Sequence, residues 1–140
     1  MATATLSKEM LEAHPWPSQL DRDLLARCID ECLACLQSCT ACADADLAED
    51  DVAEMRRCIR LCLDCADACD ATLRLLSRQT EYVASTARAQ VAACWELCAI
   101  CARECERHAD HHEHCRICGE SCRRCEEACS AVLDAIGEEQ

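Results

Sequence analysis

The cysteine phrase C-x3-C-x2-C-x3-C occurs four times in this chain, and it constrains the fold more than any other feature. The copies are Cys28, Cys32, Cys35, Cys39; then Cys58, Cys62, Cys65, Cys69; then Cys94, Cys98, Cys101, Cys105; and finally Cys118, Cys122, Cys125, Cys129. Cys42 and Cys115 extend the first and fourth copies by one more step of three, which completes the 18 cysteines of a 140-residue chain. Steps of four, three and four place every sulfur of a copy on one stripe of an α-helix. Four such stripes have to bury against one another, so the pattern predicts an all-α fold. The architecture expected is an antiparallel up-down-up-down four-helix bundle with a thiol core and a short extra N-terminal helix.

Ordinary core material is scarce, with no Phe, one Tyr and two Trp. Buried cysteine serves as a small hydrophobe in its place. With only two Gly and two Pro, the chain lacks the loops of a small secreted disulfide scaffold. The N-terminus shows no basic segment followed by an apolar stretch, and no run nears the ~20 apolar residues of a membrane span. These features predict a cytoplasmic protein with reduced thiols and no membrane partner. A net charge of −13 makes nucleic acid an unfavourable partner.

Helix punctuation agrees with the stripes. Pro15 and Pro17 end a short N-terminal helix with Leu6, Met10 and Leu11 on its apolar side, so residues 1–17 read as helix plus linker and 18–140 as the bundle. Ser18 with Asp21 predicts the start of the first bundle helix, which runs to about Ala45. Glu49, Asp50 and Asp51 suit the N-terminus of a second helix ending near Arg78. Thr80 and Glu81 are expected to cap a third ending near Ala109, and Asp110 with Glu113 a fourth that Gly137 terminates.

In an antiparallel arrangement all four cysteine segments fall at one end. The stripe continues at the other end through Leu20, Leu24, Leu73, Leu76, Val83, Ala87, Val91, Val132, Leu133 and Ile136, a hydrophobic plug. The thiol end opens toward loops at 46–50 and 109–112, where His108, His111, His112 and His114 lie beside Cys42 and Cys115. His108 continues the Cys101–Cys105 stripe, whereas His111 and His112 precede Cys115 by four and three, so one of them faces inward. His114 precedes Cys118 by four. Met55 fits the core and His14 a structural role. Cys115, near a helix N-terminus, is expected to carry a lowered pKa. Ile29, Leu33 and Leu36 form a second apolar stripe, facing a neighbouring helix or another subunit, and Gly119 permits close helix approach.

Soft thiolates select Cu(I), Zn(II) or iron–sulfur clusters. Charge favours Cu(I): one monovalent ion per thiolate leaves the core near neutral, while each tetrathiolate zinc centre carries −2 in a low-dielectric interior. Ferredoxin spacings lie on tight turns followed by Pro, which this chain lacks. C-x3-C-x2-C also occurs in radical S-adenosylmethionine enzymes, but those use it once, on a loop of a larger β-containing barrel. Inert packing does not explain so many thiols on one seam, since leucine packs better. A zinc or mixed-metal buffer of metallothionein type is the second reading, and an iron–sulfur protein the third.

Four in-register cysteine stripes with histidines at one end resemble the bacterial cytosolic copper storage proteins, over residues 18–136. The resemblance implies non-catalytic storage of many Cu(I) ions per subunit, about one per cysteine, with protection from copper toxicity, in a homotetramer of bundles. It also implies that all 18 cysteines line the core and that His108, His111 or His112, and His114 form the mouth. Copper would arrive from an unidentified donor, a chaperone or a small thiol.

Overall fold

In the computed structural model of the protein, which describes residues 5–137, the helices are α1 (Leu6–Ala13), α2 (Arg22–Leu47), α3 (Arg56–Ser77), α4 (Ala84–His108) and α5 (Glu113–Gly137). A 3-10 turn, Val52–Met55, leads into α3. Helices α2 to α5 form the expected antiparallel bundle: α2 packs on α3 and α5, α4 packs on the same two, and α1 lies along α2. Residues 138–140 of the bundle segment, and 1–4 of the N-terminal one, lie outside the described residues.

The helix starts differ from expectation in instructive ways. Asp21 alone caps α2, accepting from the backbone N–H of Leu24 at 3.0 Å, while Ser18 stands outside the helix with a buried hydroxyl. The acidic run 49–51 belongs to the connection, and α3 starts only after the 3-10 turn. Thr80 and Glu81 do not cap α4. Glu81 adopts φ 56°, a left-handed conformation that makes it a turn residue, and the helix begins at Ala84 with Val83 as its boundary. The opening of α5 rests on His112, whose carbonyl accepts from the N–H groups of Cys115 and Arg116. Gly137 is itself still helical.

The plug is built as the stripes predict, with corrections at its margin. Leu20, Leu76, Ala87, Val91, Val132 and Ile136 are buried, joined by Leu25, which continues the α2 stripe one step before Cys28. Leu24, Leu73 and Leu133 are half-buried beside them, and Val83 is exposed because it precedes its helix. In α1 only Leu11 is buried, because Leu6 and Met10 point away from α2. The helix is fastened by polar contacts instead: Ser7 donates to Asp30 at 2.6 Å, and Lys8 pairs with Asp23 at 2.7 Å. His14 does play a structural role, since its Nδ1 accepts from the N–H of Trp16 and its Nε2 lies 3.3 Å from the Thr80 hydroxyl. Of the second α2 stripe, Ile29 is buried, Leu36 half-buried and Leu33 exposed. Gly119 sits where a Cβ would stand 3.4 Å from the Cβ of Cys105, so α4 and α5 approach closely there.

Candidate metal centre

Every cysteine is buried and none is in a disulfide. Helical spacing and antiparallel register together sort them into rungs. Between α2 and α5 the touching pairs are Cys42–Cys115, Cys39–Cys118, Cys35–Cys122, Cys32–Cys125 and Cys28–Cys129, with Sγ separations from 3.6 to 3.9 Å. Each step down one helix is matched by an equal step up the other. Between α3 and α4 the pairs Cys62–Cys101, Cys65–Cys98 and Cys69–Cys94 follow the same rule at 3.7 to 3.9 Å. Links across the bundle, such as Cys35–Cys65 at 3.8 Å and Cys69–Cys125 at 3.9 Å, fuse the two ladders.

The register changes the meaning of the two extra cysteines. Cys42 lies with Cys58, Cys62 and Cys105 in a group whose sulfurs are all within 4.8 Å of one another, so Cys42 and Cys115 complete a mouth layer. The deepest rung is Cys28–Cys129, which has no cysteine pair facing it at its own level on α3 and α4, although Cys94 reaches Cys129 from one step nearer the mouth. At that level the stripes of α3 and α4 carry Thr72 and Val91, both fully buried, and there the plug begins.

These separations suit thiolate chemistry. With metal–sulfur bonds of ~2.3 Å, sulfurs sharing a planar three-coordinate ion stand ~4.0 Å apart, and ~4.6 Å apart on a linear one. In tetrads such as Cys32, Cys69, Cys94 and Cys125, or Cys39, Cys101, Cys118 and Cys122, all sulfurs lie within 4.8 Å of one another, and pairs such as Cys32–Cys125, Cys69–Cys94 and Cys39–Cys118 stand 3.6 to 3.9 Å apart. Hydrogen bonding among the sulfurs divides the protons unevenly. The Cys129 contact pulls Cys28 down to about 5, Cys122 holds Cys35 low, and Cys125 holds Cys32 high. One monovalent cation per thiolate, including those already ionised, leaves such a core neutral.

At the mouth the histidines part ways. His114 reaches the thiols, its Nδ1 standing 3.4 Å from the Cys42 sulfur and 3.6 Å from that of Cys115. Its Nε2 is 2.8 Å from Glu49, which also holds Nδ1 of His112 at 2.9 Å. His112 stacks on His114 with ring centroids 5.5 Å apart, and its Nε2 lies 3.3 Å from Asp51. His111 is exposed, so His112 is the inward one of the two. His108 is turned to Glu104, 2.9 Å away, a buried carboxylate that also meets Arg57 and Arg107. Met55 is fully buried under the 3-10 turn.

Asp46 is the mouth residue that sequence reasoning missed. It is fully buried, with Oδ1 3.6 Å from the Cys115 sulfur and 3.7 Å from Nδ1 of His114, while Oδ2 has no partner. Burial, then the Cys58 thiol, pushes its carboxyl up to about 8. A signal was present, since Asp46 follows Cys42 by four and so prolongs the stripe. Cys115 departs from the expectation based on its helix terminus. Its hydrogen bond with Cys42 does lower its pKa, but Cys58, burial and the Asp46 charge outweigh that and raise it. The helix field is one influence among several sulfurs and a carboxylate.

The fold and the sulfur ladder together define a thiolate-lined metal store. The chain belongs to the copper storage protein family, whose model matches residues 21–134, and copper storage is its function. It is similar to the structure of the copper storage protein Ccsp from Streptomyces lividans loaded with 10 copper equivalents, at 51% identity and TM-score 0.91, over 92% of this chain and 98% of that one. A histidine-to-alanine variant of the Streptomyces lividans protein matches at 54% identity and TM-score 0.83, over 84% and 98% of the two chains. A structure of copper loading to the cytosolic copper storage protein of the same organism, with five coppers, matches at 55% identity and TM-score 0.79, over 80% and 93%. No curated protein sequence matches.

Proposed function

We propose that this protein is a non-catalytic, cytosolic, high-capacity Cu(I) store in which all 18 cysteines are ligands, at about one copper per cysteine. The observation that carries this reading is the ladder of sulfur pairs, each 3.6 to 3.9 Å across, from Cys42 and Cys115 at the mouth down to Cys28 and Cys129 above Thr72 and Val91. Neighbouring sulfurs can share an ion without backbone movement, and an ion can pass from rung to rung by thiolate exchange, with proton release at each new ligand.

Copper is taken in at the end where His114 touches the thiols, with His112 stacked behind it and His108 held at the edge by Glu104. His111, exposed beyond them, meets the incoming donor, a chaperone or small thiol carrying Cu(I). Residues 18–140 act as the storing unit, with α1 of the N-terminal segment 1–17 strapped along α2, and bundles assemble as a homotetramer, as the resemblance to the family implies. The Streptomyces lividans relative is described as cytosolic, and no helix among the described residues is long and apolar enough to cross a membrane.

The test is a Cu(I) titration of the reduced protein in lightly buffered solution, followed by near-ultraviolet charge transfer and proton release. The absorbance should grow to the end of loading without visible bands, with protons released throughout. Visible bands of an iron–sulfur type in the purified protein, or saturation after a few ions, would overturn the assignment.

A further inference from the structure

The mouth holds a donor set that a pure Cu(I) store does not require. Four groups from two helices converge there: Cys42 and Asp46 one turn apart on α2, and His114 with Cys115 at the start of α5. Five of the six edges of the figure they enclose are defined by contacts. Cys42–Cys115 is 3.9 Å, Cys42–His114 Nδ1 3.4 Å, Cys115–His114 Nδ1 3.6 Å, Cys115–Asp46 Oδ1 3.6 Å, and His114 Nδ1–Asp46 Oδ1 3.7 Å. For a tetrahedral ion with sulfur at ~2.3 Å and nitrogen or oxygen at ~2.0–2.1 Å, the sulfur–sulfur edge is ~3.8 Å and the mixed edges ~3.5 Å. The five observed edges match those of that tetrahedron to within a few tenths of an ångström.

Two further features point to a divalent ion. Asp46 is fully buried and its second carboxyl oxygen has no hydrogen-bond partner, so a cation beside it is what would favour its ionised form there. Carboxylate oxygen is also a hard donor, ill matched to Cu(I) but common around Zn(II). In addition, His114 is fixed from behind. Its Nε2 lies 2.8 Å from Glu49, so with Nε2–H donated there Nδ1 presents its lone pair to the thiols. A carboxylate behind a histidine is the usual way of orienting a zinc ligand. Two thiolates and one carboxylate around a divalent ion leave a net charge of −1, half that of a tetrathiolate zinc site.

We infer that Cys42, Cys115, His114 and Asp46 form a tetrahedral seat for a single divalent transition-metal ion of the Zn(II) class, chemically distinct from the all-sulfur layers beneath it. The seat does not depend on the copper reading. Where that reading holds, an ion there closes the ladder from above, and Cu(I) has to displace it to load from this end.

Metal-free protein, prepared anaerobically, is given one equivalent of Zn(II), and its zinc K-edge EXAFS is recorded. Two sulfurs and two nitrogen or oxygen atoms in the first shell support the seat, and four sulfurs overturn it by placing the ion in the thiol core. In a chelator competition, Asp46→Asn should weaken binding of this first equivalent at least tenfold. An unchanged affinity in a variant shown by circular dichroism to be folded overturns the role of Asp46. If the variant does not fold, the wild-type EXAFS still decides the question. Copper capacity, counted on the same preparation, is read separately, so failure of the zinc seat and failure of the copper store give different results.

Discussion

The two ends of the bundle use one helical stripe for opposite purposes. At the plug end the stripe is aliphatic: Leu25, Leu76, Val91, Val132 and Ile136 are all but fully buried, and their packing needs no ligand. At the mouth end the same stripe is sulfur, rimmed by His112, His114, Glu49 and Asp46. Thiols are smaller than leucine and bury less apolar area, at ~25 cal/mol per Å2. The metal-free fold therefore depends disproportionately on the plug, and the metal-bound state on the sulfurs. Placing the two functions at opposite ends lets the thiol half change protonation and charge as it fills while the plug holds the register.

The largest expected effect follows from breaking the plug. Leu76→Ala should destabilise the metal-free protein by ~2–5 kcal/mol, the range for leucine truncation in a close-packed core. Denaturant unfolding under reducing conditions checks this. Copper loading should restore much of the lost stability, because an ion that binds only the folded state shifts the equilibrium toward it. A thiol-half truncation should show the reverse profile. Cys35→Ala with Cys122→Ala should cost less stability but remove about two ions from the copper count, since this pair forms one rung of the ladder.

A smaller and purely kinetic effect is expected at the rim. Replacing His108, His111, His112 and His114 with alanine should slow Cu(I) uptake in stopped-flow mixing and leave the final count nearly intact. Among single variants, His114→Ala should be the slowest, because its Nδ1 lies against two thiols, and exposed His111→Ala should show the smallest slowing of the four. Equal rates across the set would move the entrance elsewhere.

A further effect concerns pH. The folded-state carboxyl of Asp46 is raised to about 8 by burial and then by the Cys58 thiol, whereas an unfolded Asp titrates near ~3.9. The protonated form is the one that the fold favours. Its contribution is therefore fully present below the unfolded value and is lost as pH rises toward about 8. Metal-free protein should lose thermal stability over that window, and Asp46→Asn should flatten the slope. A parent slope that the substitution leaves unchanged would assign the pH dependence to other groups.

The bundle was legible because cysteine spacing states the helical period so plainly. Steps of four and three left no ambiguity about which face of each helix is buried, and short connections left none about direction. Register was harder. Spacing alone makes Cys42 and Cys115 extensions of their copies, whereas the paired helices show that Cys28 and Cys129 form the deepest rung, with no facing cysteine pair at its own level, over a floor of Thr72 and Val91. Offsets between helices are set by loops and by cross-bundle packing, which a single stripe does not encode.

The carboxylates were hardest to read. Asp46, Glu49 and Glu104 occur among many solvated acids in a chain of net charge −13, and nothing in composition separates them. Only the extension of the stripe from Cys42 to Asp46 carried the signal. Glu104 gave none, because its burial comes from Arg57, Arg107 and His108 folding over it. The raised pKa of Cys115 is hidden from the sequence for a related reason. A helix terminus is visible in sequence, but the opposing charges of neighbouring thiols and of Asp46 are tertiary facts.

The central claim is that the sulfur ladder stores Cu(I) at about one ion per thiolate. It is tested most directly by loading the reduced protein anaerobically with excess Cu(I), removing unbound metal, and measuring copper, zinc and protein together. The account predicts a copper count close to the 18 cysteines of the chain. Saturation at about four metal ions per chain, the number that tetrathiolate sites would hold, would contradict it.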